Sequence, residues 1–338
     1  MTTRRNAAHI RTGREPPGAH AFRGHRSRAL MLGVAAVFTV GIIAAVGALV
    51  SHASALTNCA TTLSACHYPN AANTGVPAGT ILKTVPGQVS SGPGWSYNAT
   101  DKAVIVTGNG TVLSDLYIPY SLEIDASNVT VKNVEVVTGG NFGISLAHTK
   151  GVTVEDSTVS GQNLTSGRVD SAIDDPYGDS TGMVIEDNNI SLFRTAIQIT
   201  TGLAEGNYIH NPGYISGDHT NGFYVNGGTE PLTIEDNTIF NSLGQTDAIN
   251  LDPGTPGSAV ANKTIENNFL AGGGYTIYGG DVGGSSTTNI VIEGNRIGQL
   301  YYPKGGQWGP DFYFDSTGKG NVWSANIWDT TGATIASS

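Results

Sequence analysis

The sequence predicts an all-β protein with a single folded domain, a right-handed parallel β-helix that follows an N-terminal apolar leader. Short segments of alternating apolar and polar residues recur every 19 to 31 residues along the chain. A second short strand pattern follows each copy, and the chain holds 46 Gly with little helix-forming pattern. Because one such coil cannot bury its own apolar face, stacked coils must share a core.

The clearest copies of the repeat are GVTVEDSTV, GMVIEDNNI, PLTIEDNTI and NIVIEGNRI. Aligning all copies creates one column, which consists of Val134, Ser157, Asn188, Asn207, Asn237, Asn268, Asn295 and Asn326. Asparagine tolerates left-handed backbone angles, and stacked asparagine side chains can bond to one another. We therefore predict that this column forms a tight turn between two strands in every coil.

Residues 1–55 are expected to direct export. Seven arginines precede residue 29, an uncharged apolar run covers 29–50, and Ala53-Ser54-Ala55 forms a small-x-small cleavage signature. We expect cleavage after Ala55 and a secreted, extracellular protein. The alternative is a retained membrane anchor with its N-terminus inside, because the run of 22 residues is long enough to span a bilayer.

The exported part is strongly acidic. Seven of the 17 Lys and Arg residues and one of the 27 Asp and Glu residues lie in the leader, which leaves a net charge of −16. This charge excludes nucleic acid as a partner and disfavours polyanionic substrates unless a cation intervenes. Cys59 and Cys66 predict a disulfide in an N-terminal cap segment, 56–82, that precedes the β-helix at 83–338. We expect a monomer.

The repeat N-[VI]-x-[IV]-E-[DN]-N-x-[IV], followed by a [GA]-[IF]-x-[LVI] strand, resembles the pectin-lyase-like superfamily. TNGFYVNGG, QTDAINLD and GGGYTIYGG resemble an actinobacterial subgroup of exported β-helix proteins, and the resemblance covers about residues 68–330. It implies the fold and a polysaccharide partner. It does not select a reaction, because the superfamily includes lyases, glycoside hydrolases, carbohydrate esterases and non-catalytic adhesins.

The second strand of each coil predicts a groove on the outer surface. An apolar column points inward and contains Ile144, Ile173, Ile197, Phe223, Ile249 and Ile277. Since side chains alternate, the next column points outward and contains Ser145, Asp174, Gln198, Tyr224, Asn250 and Tyr278. The outward column before it is small and contains Gly143, Ala172, Ala196, Gly222, Ala248 and Thr276. Polar side chains beside small ones predict a groove floor for sugar rings; the alternative is a solvated sheet face.

Three long loops, 160–170, 210–220 and 298–310, lead into this strand from the same edge of the sheet. They carry aromatic residues, expected at the surface, that are suited to stacking on sugars. The predicted substrate-binding residues of floor and wall are Gln198, Asn250, Tyr278, Tyr214 and Trp308.

His219 and Asp247 are the strongest catalytic candidates. Adjacent coils lie about 4.8 Å apart, so we predict that His219 contacts Asp247 on the next coil. A histidine oriented by a carboxylate serves as a general base and acid, and Tyr224 and Asp252 lie on the same coils. The related group often has His-x-Asp-Gly before this strand. Here the motif reads HTNG, and the Asn221 replacement weakens any role that needs that carboxylate.

The stretch DSAIDDPYGD predicts a second acidic cluster, which begins at Asp170. Asp175 falls in an inward apolar column, and an unpaired buried carboxylate is costly, so we expect the strand to end at Asp174 and Pro176 to turn the chain. Asp174 is a catalytic candidate. Together Asp174, Asp175 and Asp179 are candidate ligands for Ca²⁺, although no cofactor is certain and an ordinary turn is the alternative.

Two reactions fit these residues. A glycoside hydrolase needs two carboxyl groups about 5 to 9.5 Å apart. The candidate pairs are Asp174 with Asp175 and Asp247 with Asp252. A β-eliminating lyase needs a group that neutralises a uronate, and the basic residues near the groove are Arg168, Arg194 and Lys304. We predict a polysaccharide-cleaving enzyme, hydrolase or lyase; the alternative is a non-catalytic glycan-binding, adhesion or structural protein.

Overall fold

The computed structural model describes residues 58–162 and 169–338, so the leader and its predicted cleavage site lie outside the described residues. Two short 3-10 turns, Cys59–Thr61 and Leu63–Cys66, precede the strands. Within the two described ranges, no helix is long and apolar enough to cross a membrane. The regular structure after the two turns is β-strand, which confirms the all-β prediction.

Three sheets run side by side along the chain. Sheet A has ten strands: Lys83–Thr84, Leu116–Ile118, Glu135–Thr138, Thr158–Gly161, Asn189–Ser191, Tyr208–His210, Thr238–Asn241, Phe269–Gly272, Arg296–Gly298 and Ile327–Trp328. Sheet B has eleven: Ser91–Gly92, Trp95–Asn98, Ala103–Val106, Ser121–Ile124, Phe142–Leu146, Val169–Asp174, Phe193–Gln198, Thr220–Asn226, Thr246–Asp252, Tyr275–Tyr278 and Gly309–Phe312. Sheet C has nine: Val112–Ser114, Thr130–Lys132, Thr153–Glu155, Val184–Glu186, Gly202–Glu205, Leu232–Glu235, Ala259–Glu266, Ser286–Glu293 and Val322–Ser324.

Each coil contributes one strand to each sheet, and each strand pairs with its counterpart in the next coil. The pairing is parallel throughout sheets A and C. In sheet B only the first two strands, Ser91–Gly92 and Trp95–Asn98, pair in antiparallel fashion. This arrangement is a parallel β-helix, as the repeat predicts. Its core is a continuous stack of Val, Ile and Leu side chains from all three sheets, with Ile144, Ile173, Ile197, Phe223, Ile249 and Ile277 fully buried.

The predicted asparagine column is a hydrogen-bonded ladder at the turn between sheets C and A. The Asn188 backbone N–H and side-chain Nδ2 both donate to Asn207 Oδ1, at 3.1 and 3.0 Å. Asn207 bonds to Asn237 in the same way, at 2.9 Å for both contacts. The pattern continues through Asn268 and Asn295. Because these amides are buried, each needs its partners on neighbouring coils.

The left-handed residue of this turn is not the asparagine of the column but the residue before it. Asp187 has φ of 54°, Gly206 has 67° and Asp236 has 53°. The prediction assigned the left-handed conformation to the column itself and was wrong by one residue. The physical reason is that the buried asparagine must keep its side chain pointing along the stack, so the exposed residue beside it takes the reversal.

The N-terminal segment 58–82, here called the strap, lies along the outer face of sheet A. At one end, the backbone N–H groups of Cys59 and Ala60 donate to the two carboxylate oxygens of Asp329, both at 3.0 Å. In the middle, the Tyr68 ring packs on Phe269 with centroids 5.1 Å apart. The strap then passes Thr158, whose Oγ1 accepts a bond from Val76 N at 3.1 Å, and joins the first strand of sheet A.

The disulfide between Cys59 and Cys66 is present, as predicted, with Cα atoms 5.7 Å apart. It closes the strap segment that packs on Phe269 and Phe240 of sheet A. The strap therefore covers apolar side chains on the outside of a sheet whose inner face already forms the core, and it connects the last coils to the first.

Candidate functional site

The outward column of sheet B forms as predicted. Its members pair in register across successive coils, in the order Ser145, Asp174, Gln198, Tyr224, Asn250, Tyr278 and Phe312. Gln198, Tyr224, Asn250 and Tyr278 are half-buried, whereas Asp174 is only 2% exposed. The column therefore presents a line of polar and aromatic side chains along the sheet, with one acid held beneath the surface.

The small column beside it does not point outward, contrary to the prediction. Ala172 and Ala248 are fully buried, and a Cβ on Gly222 would lie 2.3 Å from the Ile239 side chain of sheet A. Two consecutive inward positions, such as Ala248 and Ile249, occur because the strand bends toward sheet A at this point. The small residues leave room for that close approach.

The residue before each small one is the second outward position of sheet B. This second column pairs in register and contains Ser171, Thr195, Asn221, Asp247, Tyr275 and Gly309. Strict alternation places these residues inside the β-helix. The pattern that could have located the second column is the pair of consecutive inward residues, such as Ala248 and Ile249, which interrupts the alternation. The groove floor is therefore built from two outward columns separated by two inward residues.

A cleft of about 400 Å³ opens between these two columns. Its lining is polar and consists of Arg194, Thr195, Gln198, His219, Asn221, Tyr224, Asn226, Thr246, Asn250 and Asp252. A neighbouring cleft of about 300 Å³ shares Gln198 and Asn226 with it and is bounded by Tyr177. The two clefts are adjacent along the coils, and together we call them the groove of sheet B.

Asp247 lies in the second outward column, inside the strand Thr246–Asp252 rather than before it. Its side chain is fully buried, and neither carboxylate oxygen has a hydrogen-bond partner of good geometry among the described residues. Burial raises its pKa well above the usual value, the Tyr275 backbone N–H opposes this rise, and the negative charge of Asp252 adds to it. The environment of Asp247 therefore favours its protonated form.

A second layer of backbone covers Asp247. A Cβ on Gly273 would lie 2.7 Å from the Asp247 Cα atom, so the Gly273 backbone packs directly on this residue. Gln307 N and Trp308 N donate to the carbonyl oxygens of Gly273 and Gly274, at 2.9 and 2.7 Å. The loop 299–308 therefore holds the cover of Asp247 in place.

His219 does not hydrogen-bond to Asp247, contrary to the predicted contact. The His219 ring is exposed at the cleft, and its nearest hydrogen-bonding partner is the side-chain amide of Gln245, 3.2 Å from Nε2. The neighbouring Asp218 accepts a bond from Ile215 N at 2.9 Å and shapes the loop. Register brings Asn221, not His219, beside Asp247, because His219 belongs to a loop that ends before the paired strand.

Asp174 ends its strand, as predicted, and Asp175 begins a turn. Burial, and then the charge of Asp175, raise the pKa of Asp174 to about 7, while the Ser145 hydroxyl partly opposes the shift. One oxygen of Asp174, Oδ1, has no partner among the described residues. Like Asp247, this carboxyl is buried on the groove sheet without the bonds that would compensate the cost.

The predicted calcium ligands do not converge. The Asp175 oxygens accept bonds from Ser180 N at 3.0 Å and Ser180 Oγ at 3.1 Å, which explains how this inward carboxylate is tolerated. Asp179 instead lies 2.7 Å from His148 Nδ1 at the surface. Within the described part of the chain, no group of three or more His, Cys, Asp or Glu side chains is arranged to hold a metal ion. Asp175 and Asp179 have structural roles instead.

Tyr224, Asp252 and Arg194 face the cleft together. Burial raises the pKa of Tyr224, the carboxylate of Asp252 raises it further, and Arg194 opposes both effects. The Arg194 Nε donates to Asp170 Oδ1 at 3.1 Å, which fixes the guanidinium at the edge of the cleft. The cleft thus contains one half-buried carboxylate, one phenol and one cation within electrostatic reach of each other.

The aromatic residues of the long loops are exposed but do not form one wall. Tyr214 is 52% exposed and Trp308 is 61% exposed, so both side chains are available to a ligand. Tyr301 instead packs against Phe240 on the outer face of sheet A, with centroids 6.2 Å apart. The loop 160–170 contributes little that can be described, because residues 163–168, including Arg168, lie outside the described residues.

Sheet C carries a column of glutamates that we did not predict, although these residues occupy the same position in successive repeats. Glu155, Glu186, Glu205, Glu235, Glu266 and Glu293 pair in register on successive coils. Lys132 neutralises one end, 2.9 Å from Glu155. Part of this column lines a cleft of about 560 Å³ beneath the strap. Its lining offers acidic side chains without the exposed aromatic residues of sheet B, so we assign the glycan site to sheet B.

Like charges in this column should destabilise the fold at neutral pH. Burial and the neighbouring Glu266, Glu205 and Asp236 raise the pKa of Glu235 to about 6. Since the folded state binds this proton more tightly than the unfolded state, stability decreases as pH rises from about 4.5 to 6. We expect Glu235→Gln to raise the free energy of unfolding at pH 8 by about 0.5 kcal/mol, with no gain at pH 4.

Denaturant unfolding at both pH values measures this effect. Glu135→Gln is the matched control, because Glu135 pairs in register with Tyr117 and Thr158 rather than with other acids. An equal gain in both variants would mean that the column repulsion is not the cause.

Comparison of the chain with protein-family models, with curated proteins and with solved structures found no match. The resemblance to the pectin-lyase-like superfamily therefore stays a prediction from the repeat. The parallel β-helix and the geometry of sheet B are the basis on which a function can be proposed.

Proposed function

We propose that this protein is exported and cleaves a polysaccharide that lies along the groove of sheet B. The groove is the surface where polar side chains, exposed aromatic rings and unpartnered acids occur together. The Cys59–Cys66 disulfide agrees with an oxidising compartment, which supports export. We propose that the protein acts as a monomer, with a polysaccharide as its partner.

The observation that carries this proposal is that two buried acids, Asp174 and Asp247, lie in the outward columns of the groove sheet. A third buried acid of this sheet, Asp311, pairs in register with the inward Ile277 and accepts hydrogen bonds from Ser338. One carboxylate oxygen of Asp174 and both of Asp247 lack a hydrogen-bond partner of good geometry among the described residues, and burial raises the pKa of both residues. A buried acid of this kind costs stability, and the equivalent positions on the other coils hold uncharged residues. Strongly raised pKa values beside a cleft are typical of general acids.

We assign Asp247 as the proton donor and Asp252 as the second carboxyl group. Burial, and to a smaller extent the charge of Asp252, raises the pKa of Asp247, which favours the protonated form of Asp247 on the same strand as a second acid. In this reaction Asp247 gives its proton to the glycosidic oxygen as the bond from that oxygen to the anomeric carbon breaks. Asp252 takes a proton from the water molecule that attacks the anomeric carbon, and the new reducing end carries the remaining hydroxyl. The Gly273 backbone packs on Asp247 and is held in place by the loop 299–308. Substrate binding must displace this backbone segment.

Hydrolysis is favoured over β-elimination. An eliminating enzyme must stabilise a uronate carboxylate, and in this cleft Arg194 is already bonded to Asp170. A protonated buried acid instead suits donation to a leaving oxygen. Tyr224, Asn250 and Gln198 supply hydroxyl and amide groups that can bond to sugar hydroxyls.

A product assay tests the proposal. The purified exported protein is incubated with a panel of neutral and uronic polysaccharides, with and without EDTA, and new reducing ends and the ultraviolet absorbance of unsaturated uronates are recorded. We expect reducing ends without absorbance, unaffected by EDTA. Absorbance would indicate a lyase, loss of activity in EDTA would indicate a metal enzyme, and retention on a polymer without cleavage would indicate a glycan-binding protein.

A further inference from the structure

The character of the groove changes at its C-terminal end. The outward column is polar from Asp174 to Asn250 and then becomes aromatic at Tyr278 and Phe312. Tyr275, in the second outward column, lies on the same coil as Tyr278. Tyr313 follows Phe312 at the end of the strand. These four residues, Tyr275, Tyr278, Phe312 and Tyr313, are here called the aromatic platform.

The rings of the platform are in mutual contact, and Tyr278 lies nearly perpendicular to Tyr275 and Phe312, at 87° and 88°. Tyr275 and Phe312 stack with centroids 4.6 Å apart and an interplanar angle of 9°. Tyr313 lies 3.9 Å from Phe312 and 5.7 Å from Tyr278, measured between ring centroids. Each ring thereby has a fixed orientation before any ligand binds, which reduces the entropy lost on binding.

The platform is open to a ligand. Tyr313 is 38% exposed, and the other three rings are half-buried. The phenol groups of Tyr275, Tyr278 and Tyr313 form no hydrogen bond with any other described residue, so their hydroxyls are free to bond. Burial, and then the negative charge of Asp247, raise the pKa of Tyr278 to about 12, so that phenol stays neutral across the physiological range.

Capping of the core does not account for these rings. The end of the core is covered by Phe314, only 7% exposed, which packs on Trp323 with centroids 5.6 Å apart. Tyr313 has φ of 56°, an uncommon conformation for a bulky residue. The left-handed turn sends Phe314 into the core and leaves Tyr313 outside, where it adds area to the platform.

We infer that the aromatic platform binds neutral pyranose rings of a glycan that continues beyond the cleft. Tyrosine and phenylalanine faces stack on the apolar C–H faces of pyranose rings, and the free phenols bond to their hydroxyls. The platform itself contains no cation that could pair with a uronate. Asn250 lines the cleft and pairs with Tyr278, so a chain in the cleft reaches the platform one coil further on. The inference rests on the proposed function, because it extends the same groove.

Binding measured without cleavage tests this inference. The purified exported protein is titrated with neutral hexasaccharides of glucose, mannose, xylose and galactose, and with hexagalacturonate as the charged comparison, and tyrosine fluorescence and calorimetry report binding. We expect at least one neutral oligosaccharide to bind more tightly than hexagalacturonate. Tyr278→Ala should weaken that binding about tenfold, whereas Tyr278→Phe should retain most of it.

Two further variants separate binding from folding. Tyr313→Gly removes a ring at a position whose left-handed backbone glycine adopts readily, so this variant should fold normally and still bind several-fold more weakly. Tyr117→Ala, on sheet A, is the control and should bind like the wild type.

The outcomes distinguish the platform from the proposed reaction. One outcome is that a neutral oligosaccharide binds, that binding depends on Tyr278 and Tyr313, and that no polymer is cleaved. This outcome would support the platform as a binding site and refute the proposed hydrolysis. Cleavage of a polymer with unchanged binding in both variants would refute the platform alone. Absence of binding to every neutral oligosaccharide, or tighter binding of hexagalacturonate, would also overturn the platform.

Discussion

Asp174→Asn should make the protein more stable at pH 8 and leave its stability at pH 4 nearly unchanged. The pKa of Asp174 is raised from 3.8 to about 7, so the folded state holds this proton more tightly than the unfolded state. Stability therefore falls as pH rises between these two values. Since asparagine has no charge to bury, we expect a gain of roughly 1–3 kcal/mol in unfolding free energy at pH 8.

Urea unfolding from pH 4 to pH 8 measures this effect. Asp125→Asn is the matched control, because Asp125 is exposed and follows the neighbouring strand Ser121–Ile124 of the same sheet. A stability difference between wild type and Asp174→Asn that does not change with pH would contradict the raised pKa. A loss of stability at pH 8 would mean that the carboxylate supports the fold.

Asp329→Ala should lower the unfolding free energy by about 3–5 kcal/mol and release the end of the strap. The fully buried Asp329 carboxylate accepts bonds from Cys59 N and Ala60 N and lies 2.9 Å from Arg296 Nη1. Its removal leaves a largely buried guanidinium without its counter-charge and two backbone donors without acceptors. Denaturant unfolding gives the free energy, and faster reduction of the Cys59–Cys66 disulfide reports release of the strap.

The control for this effect is Asp179→Ala, which removes an ion pair of similar length at the surface. Asp179 and His148 are 52% and 57% exposed, so solvent screens this pair and its loss should change the unfolding free energy little. If Asp329→Ala cost no more than Asp179→Ala, the strap would not be held to the last coils by this carboxylate.

The fold was predictable because it repeats. Alternating apolar residues specify strands, and the recurrence of the same pattern specifies that equivalent residues stack, so the register of Asn188, Asn207 and Asn237 can be read from the repeat alone. The turn was harder to predict. Asp187 and Asn188 both suit a left-handed backbone, and only the burial of Asn188 decides that Asp187 takes it.

The site was predictable only in part. The outward column from Asp174 to Tyr278 follows from alternation, but the bend at Ala248 breaks alternation and moves Asp247 into a second outward column. His219 lies in a loop, and loop geometry does not follow from strand register, so its contact with Gln245 could not be anticipated. The stacking of the platform residue Phe312 on Tyr275 depends on packing between coils, which the repeat pattern does not specify.

Polymer cleavage by the wild type and by Asp247→Asn, compared side by side, decides whether the buried acid of sheet B takes part in the reaction. We expect the wild type to release reducing ends from a polysaccharide. We expect Asp247→Asn, with the same binding to that polymer and equal or higher stability, to be at least about 100-fold slower. Cleavage at the wild-type rate by a folded Asp247→Asn variant would contradict this expectation, because the buried acid of sheet B would then have no part in the reaction.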